Sequence, residues 1–301
     1  MVSVKDNAGR RPVSAPPEAS GSLKFLYLNP FGRIVLAAIS GRTVSKIAGK
    51  WMSSRFSRGR IKRFIASSGI DMSEYPERDY RSFNDFFTRR IKPECRPVDA
   101  DPDALCSPCD SRLTVYPIGE RTSFKIKNSR YSLPDMLGDK NLAAEFDGGY
   151  ALVFRLAVDN YHRVCFFDDG IKSKSRFIPG RLHTVQAIAT DTGHDIYTRN
   201  CRSVSVIDSR GFGRAAMVYV GALMVGRIAE RCPEACAVKR GEEAGLFLFG
   251  GSTVVLVIKK GAAEIDGDIL SASAKGLETA VKYGESIGRK SKESQNHEKN
   301  S

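Results

Sequence analysis

No stretch of this chain approaches the about 18–20 consecutive apolar residues that a membrane-spanning helix needs. The longest early apolar run, Ile34 to Ile39, is short and follows a polar segment. Neither a signal peptide nor a membrane span is therefore indicated, which places the protein in the cytoplasm. Histidine is scarce. There are 4 in 301 residues, at positions 162, 183, 194 and 297, so any imidazole chemistry must come from these. Acidic residues are missing from one long interval: none lies between Glu18 and Asp71. The same interval carries Lys24, Arg33, Arg42, Lys46, Lys50, Arg55, Arg58, Arg60, Lys62 and Arg63. Such a block excludes an ordinary balanced surface and points to a polyanion, nucleic acid or an anionic membrane. No recognition helix or RNA-binding signature accompanies the charge, and few aromatics interleave with it, which argues against nucleic acid. Seven cysteines are an odd number whose spacing suggests no disulfide framework. Cys106-x-x-Cys109 and Cys232-x-x-x-Cys236 lack the paired knuckles of a zinc site, and reduced thiols explain them better.

Apolar content of 42% and charged content of 27% are those of a globular protein, with a net charge of +13. Residues 1–22 and 288–301 are polar, charged and rich in Ser, Gly or Pro, the composition of disordered tails. Residues 23–72 form the basic segment. Within it Val44, Ile47, Ala48, Trp51, Met52 and Phe56 recur at helical spacing. That helix either packs on its own domain or lies in a membrane interface, with basic side chains on anionic headgroups. Ser82 to Asp85 fits a capping box, followed by Phe83, Phe86, Phe87 and Ile91 on one helical face and ended by Pro93. Beyond Leu105 the chain reads as short, β-branched strands: Leu113–Tyr116, Ala151–Leu156, Ala216–Val220 and Val254–Ile258. Without regular intervening helices these do not make a doubly wound sheet. The expected fold is α+β: a mostly antiparallel β domain over residues 73–287 behind an amphipathic helical segment.

Gly250-Gly251-Ser252-Thr253 separates two apolar runs, Phe247–Phe249 and Val254–Ile258. Turn chemistry reads it as a hairpin. Alternatively, a glycine carbonyl is unhindered and tolerates unusual backbone angles, so the Ser252 hydroxyl could attack Gly251 and cut the chain.

Motifs elsewhere bear on that choice. They are Ser82-Phe-Asn-Asp-Phe-Phe-Thr-Arg-Arg-Ile-Lys92 with Arg96-Pro97, Ser107-Pro-Cys-Asp-Ser111, and Tyr161-His-Arg163. Pro179-Gly180 with His183-Thr-Val185, Val220-Gly-Ala222 with Val225-Gly226, and the Gly-Gly-Ser-Thr turn follow in order. From about Leu26 to about Ile287 the chain resembles the phosphatidylserine decarboxylase family. The resemblance implies self-cleavage between Gly251 and Ser252, with Ser252 becoming a covalent pyruvoyl group. That group would form a Schiff base with phosphatidylserine and release carbon dioxide, giving phosphatidylethanolamine without pyridoxal phosphate or a metal. It also implies that chains 1–251 and 252–301 stay associated, that the enzyme sits peripherally on the cytoplasmic side of the cell membrane, and that it forms a homodimer. The family's carboxylate maps onto Asp110. Its second histidine, in a Tyr-His-Arg-x-His pattern, is Cys165 here, and a thiol is a poor base unless its pKa falls well below about 8.5. Either His162 serves both cleavage and turnover, or His183 supplies the missing imidazole. A non-cleaving, lipid-binding relative is the competing reading.

Overall fold

The computed structural model describes residues 10, 12–13, 19–119, 122–126, 129–186, 188–189, 192, 195–222, 228–248 and 252–291. Four helices fill the basic segment: α1 (Gly21–Leu28), α2 (Pro30–Ile39), α3 (Arg42–Met52) and α4 (Ile61–Ser68). Local chemistry sets their ends. Asn29 caps α2 by accepting from Phe31 N–H at 2.9 Å, with Pro30 pre-set at the first helical position. Gly69, at φ 68°, closes α4 in the left-handed conformation. α1 and α2 meet at a bend of 99°, and at Gly32 a Cβ would lie 2.0 Å from the Phe25 carbonyl oxygen. Only glycine permits that approach. Among the described residues no single helix is long and apolar enough to cross a membrane.

The helix expected over 42–56 stops at Met52, and a 3-10 turn (Arg55–Arg60) follows. Its apolar stripe is split: Met52 packs inside, while the rest of the stripe is largely uncovered. Ile47 is 63% and Trp51 41% exposed, whereas Ser45 on the opposite side is buried. A soluble amphipathic helix does the reverse. Met52 of α3 and Ile61 of α4 pack with Tyr80, Phe83, Phe86 and Phe87 as a separate cluster. Ser82 caps the helix Phe83–Phe87 by accepting from Asp85 N–H at 3.2 Å. The Asp85 carboxylate reaches back one residue further than expected, to Arg81 N–H at 2.9 Å. This helix ends at Phe87, not at Pro93, because Arg89 leaves the helical path to stack on Tyr75 and Phe86.

The domain beyond is built on antiparallel sheets, as expected. Ser252–Ile258 lies at the middle of the largest, between Tyr150–Leu156 and Gly213–Val220. Ser111–Pro117 then Glu278–Val281 extend it on one side, and Arg202–Ser209 then Gly170–Lys172 on the other. All seven residues of Ser252–Ile258 are buried, which is why Val254–Ile258 reads as an unbroken apolar run. Glu243–Phe247 belongs to another sheet, paired with Ile228–Glu230 and Arg163–Cys165. The hairpin reading of the Gly-Gly turn thus fails: its flanking strands pair with different partners. The chain therefore passes from one sheet to the other between Phe247 and Ser252; Phe249, Gly250 and Gly251 lie outside the described residues. Parts of the expected tails are ordered. Pro12–Val13 pairs with Glu278–Thr279, Arg10 bridges Asp266 and Glu285, and Gly288 to Lys290 lie in a strand.

Candidate active site

Ser252 opens the central strand, opposite Leu156. Its Oγ lies 3.5 Å from Nδ1 of His162, and both residues are fully buried. His162 comes from the segment after Tyr150–Leu156 and just before Arg163–Cys165. Phe87 stacks on its ring at a centroid distance of 4.0 Å and 28°. That stacking fixes the imidazole plane, so one of the capping-box aromatics serves the site as well as the core. Burial, followed by the charge of Arg89, pushes the imidazole pKa down to about 3. The ring is therefore neutral at physiological pH and able to accept a proton.

One polar atom here lacks a partner among the described residues, His162 Nε2. Buried unpaired groups are rare and call for an explanation. On the ring that faces Ser252, it fits a site that holds a further polar group.

Asp110, onto which the family's carboxylate maps, is held by an arginine. Its carboxylate accepts from Arg96 Nε at 2.9 Å and Arg96 Nη2 at 2.7 Å, and from Tyr283 N–H at 2.8 Å. Arg96 also reaches Glu74 at 2.9 Å. Burial alone would depress the guanidinium pKa, but its hydrogen bonds to Asp110 and Glu74 outweigh this and raise it. Among the described residues no hydrogen bond joins Asp110 to His162. Arg96, inside the quoted motif, received no role from the sequence; a buried arginine opposite a buried aspartate is a pairing that spacing does not reveal.

Cys165 lies against the Asp110 turn, its N–H donating to Pro108 O at 2.8 Å and its thiol facing Ser107 O at 3.7 Å. Complete burial pushes its pKa well above the ordinary thiol value. It is a protonated thiol, not a base. His183 is not brought to Ser252 by any contact of the described residues. Its Nδ1 faces the Tyr27 hydroxyl at 3.4 Å, and its backbone N–H and C=O pair with the Asn200 side chain at 3.0 and 2.9 Å.

A cavity of about 780 Å³ opens between α3 and the sheet. Lys46, Lys50 and Ser53 form its helical wall, and Gly221 and Leu248 its inner wall. Gly221 follows Val220, the register partner of Thr253, so the inner wall is the strand end beside Ser252. The volume is in the range of ligand sites. Sequence periodicity marked α3 but not the cavity its polar face covers.

The family model described as phosphatidylserine decarboxylase matches residues 83–289. The chain belongs to that family. It is 43% identical over 270 residues to phosphatidylserine decarboxylase proenzyme 2 of Clostridium acetobutylicum, covering 89% of this chain and 92% of that one. It is 40% identical over 272 residues to the proenzyme of Fusobacterium nucleatum subsp. nucleatum, covering 89% and 91%. It is 38% identical over 280 residues to that of Clostridium perfringens, covering 91% and 95%. The expectation of a decarboxylase family member, and so of an enzyme, stands.

Proposed function

We propose that this chain decarboxylates phosphatidylserine with a pyruvoyl group made from its own Ser252. The observation that carries this reading is the buried approach of Ser252 Oγ to His162 Nδ1 at 3.5 Å, at the start of the central strand. His162, neutral and held by Phe87, takes the hydroxyl proton as Ser252 Oγ bonds to the Gly251 carbonyl carbon. The Gly251–Ser252 amide bond then breaks and its nitrogen takes a proton. Loss of the Ser252 α-proton expels the Gly251 carboxylate and ends chain 1–251. The dehydroalanine left behind takes a proton on its β-carbon and loses one from nitrogen to become an imine, and water replaces that nitrogen, releasing ammonia and leaving the keto group. Residues 252–301 supply the central strand, Glu278–Val281 further out in the same sheet, and Ser286–Lys290 in a smaller sheet paired with Ala104–Cys106, which supports association of the two chains after the cut.

The pyruvoyl carbonyl supplies the electron sink that loss of carbon dioxide requires, the part that pyridoxal phosphate plays elsewhere. In this reading His162 also returns the proton to the substrate carbon. The cavity beneath α3 is suited to the headgroup: Lys46 and Lys50 line it and supply cations for phosphate and carboxylate, and Glu230, also in its lining, is held by Ser175, Ser203 and Lys172. The outward stripe of α3 and the basic block support a peripheral position on an anionic membrane, where each basic residue contributes about 1 kcal/mol.

The test is a denaturing gel with intact mass. Wild-type protein should give chains 1–251 and 252–301, the second carrying a blocked amino terminus, and Ser252→Ala a single chain. An uncut wild-type chain that still decarboxylates would refute the mechanism.

A further inference from the structure

Arg33 of α2, Arg181, Arg199 and His183 converge on a cavity of about 420 Å³ between α2 and the segment Gly180–His183. No carboxylate lines it. Among the described residues Arg33 and Arg181 have no acidic partner. Arg199 has only Asp195 at 3.9 Å, with the Arg199 side chain 64% exposed, a contact of little strength. Like charges gathered around one concavity repel unless an anion neutralises them. Arginine forks match phosphate in particular, because they donate paired, charge-assisted hydrogen bonds. The helix that supplies Arg33 also exposes Phe31 at 67% and Ile34 at 68%, and α1 exposes Leu28 at 62%. Apolar residues in the acyl layer would set the arginines at headgroup depth.

The cavity is also a joint. Leu182 N–H donates to Ser40 O at 3.1 Å, Arg181 Nη1 to Ala37 O at 3.2 Å, and Thr184 N–H to the Tyr27 hydroxyl at 2.9 Å. From His183, Asn200 leads to Gly221 O at 2.7 Å, the residue next to the register partner of Thr253. An anion bound here would fasten α1 and α2 to the segment that carries the inner wall of the substrate cavity.

We infer that this arginine cavity binds the phosphate of a second, non-substrate anionic phospholipid, in a headgroup site separate from that of the lipid being decarboxylated. The inference rests on the membrane-bound reading above. Its test is calorimetric titration of the full chain with dihexanoyl phosphatidylglycerol below its micellar concentration. Wild-type protein and K46Q/K50Q should bind it saturably, and R33Q/R181Q/R199Q should bind it at least tenfold more weakly. Inorganic phosphate should bind at least tenfold more weakly than the lipid. Unchanged affinity in the arginine variant would overturn the site. Loss in K46Q/K50Q alone would assign the probe to the substrate cavity, and phosphate binding as tight as the lipid would make this a free-anion site; either result refutes the inference. R33Q alone, at an exposed position, should cost about threefold and covers a triple variant that fails to fold. Self-cleavage and turnover of dihexanoyl phosphatidylserine are read separately, so an inactive or uncut protein refutes the functional reading without bearing on phosphatidylglycerol binding.

Discussion

Asp110 gives both carboxylate oxygens to Arg96 rather than to an imidazole. The pair is buried, and Glu74 completes it from the amino-terminal side. It ties the Ser107–Ser111 turn to the segment between the helices and the sheets. Removing one partner leaves a buried charge poorly compensated, a loss of about 3–5 kcal/mol in such pairs. Asp110→Asn should therefore lower the melting temperature as well as slow self-cleavage. The double variant Arg96→Met with Asp110→Asn separates the two effects. Recovered stability with cleavage still slow would place Asp110 in the chemistry; recovery of both would make it a structural residue.

The two accessible imidazole schemes make opposite predictions. If His162 is the base, His162→Ala should leave more than nine-tenths of the chain uncut after purification, and His183→Ala should cut normally. The density of uncut band on a gel decides it. Cleavage blocked only in His183→Ala would reinstate the alternative and require His183 to leave Tyr27.

The depressed pKa of His162 has a sign. A base that protonates only near pH 3 is available throughout the neutral range, so precursor cleavage should be flat between pH 5 and 8. An ordinary imidazole near 6.5 would instead slow it tenfold per unit on the acid side. The same shift bears on stability. The unfolded chain takes up this proton below about 6.5 and the folded chain only near 3, so stability present above pH 6.5 is lost as pH falls between those values. Stopped incubations of refolded precursor at several pH values give the rate, and thermal melts give the stability.

The sheet domain was legible because its strands are buried on both faces, so Val254–Ile258 and Ala151–Leu156 carry the signal in composition alone. The capping of Phe83 by Ser82 was legible for a local reason, one hydrogen bond between near neighbours. Pairing across the Gly-Gly turn was not, since register between distant strands leaves no mark on either one. The stacking of Phe87 on His162, and the grip of Arg96 on Asp110, are likewise long-range. For α3 the period was right and the direction open: spacing shows that a helix has an apolar stripe, not whether protein or lipid covers it.

That direction yields a prediction at the membrane. Trp51 and Ile47 are partly or largely exposed, and Arg60 packs over the Trp51 ring at 4.4 Å. Ile47→Ser with Trp51→Ser should leave the melting temperature within about 2 °C, because little buried area is lost, while sedimentation with anionic vesicles drops severalfold. Replacing Arg58, Arg60, Lys62 and Arg63 by Gln should weaken binding too, and raised salt should reproduce only this second effect. Salt thus separates the apolar contribution from the electrostatic one. Unchanged vesicle binding in both variants would mean that the stripe meets protein, a second copy or a partner, and not lipid.

The last prediction concerns Cys165. Its backbone hydrogen bond to Pro108 and its thiol facing Ser107 put position 165 against the turn that carries Asp110. An imidazole there would lie against that turn, three residues along the chain from His162, whereas the buried, protonated thiol neither accepts a proton nor carries charge. Cys165→His should accelerate precursor cleavage if Asp110 can turn from Arg96 to the new ring. The side chain is larger than the space it enters, and overpacking costs about 1–3 kcal/mol, so the melting temperature should fall even where cleavage quickens. Cys165→Ala is the control: it removes the thiol without adding a base and should leave the cleavage rate within about twofold. A large loss of cleavage in Cys165→Ala, with the fold intact by thermal melt, would show that the thiol itself takes part and would return the proton-acceptor role to position 165.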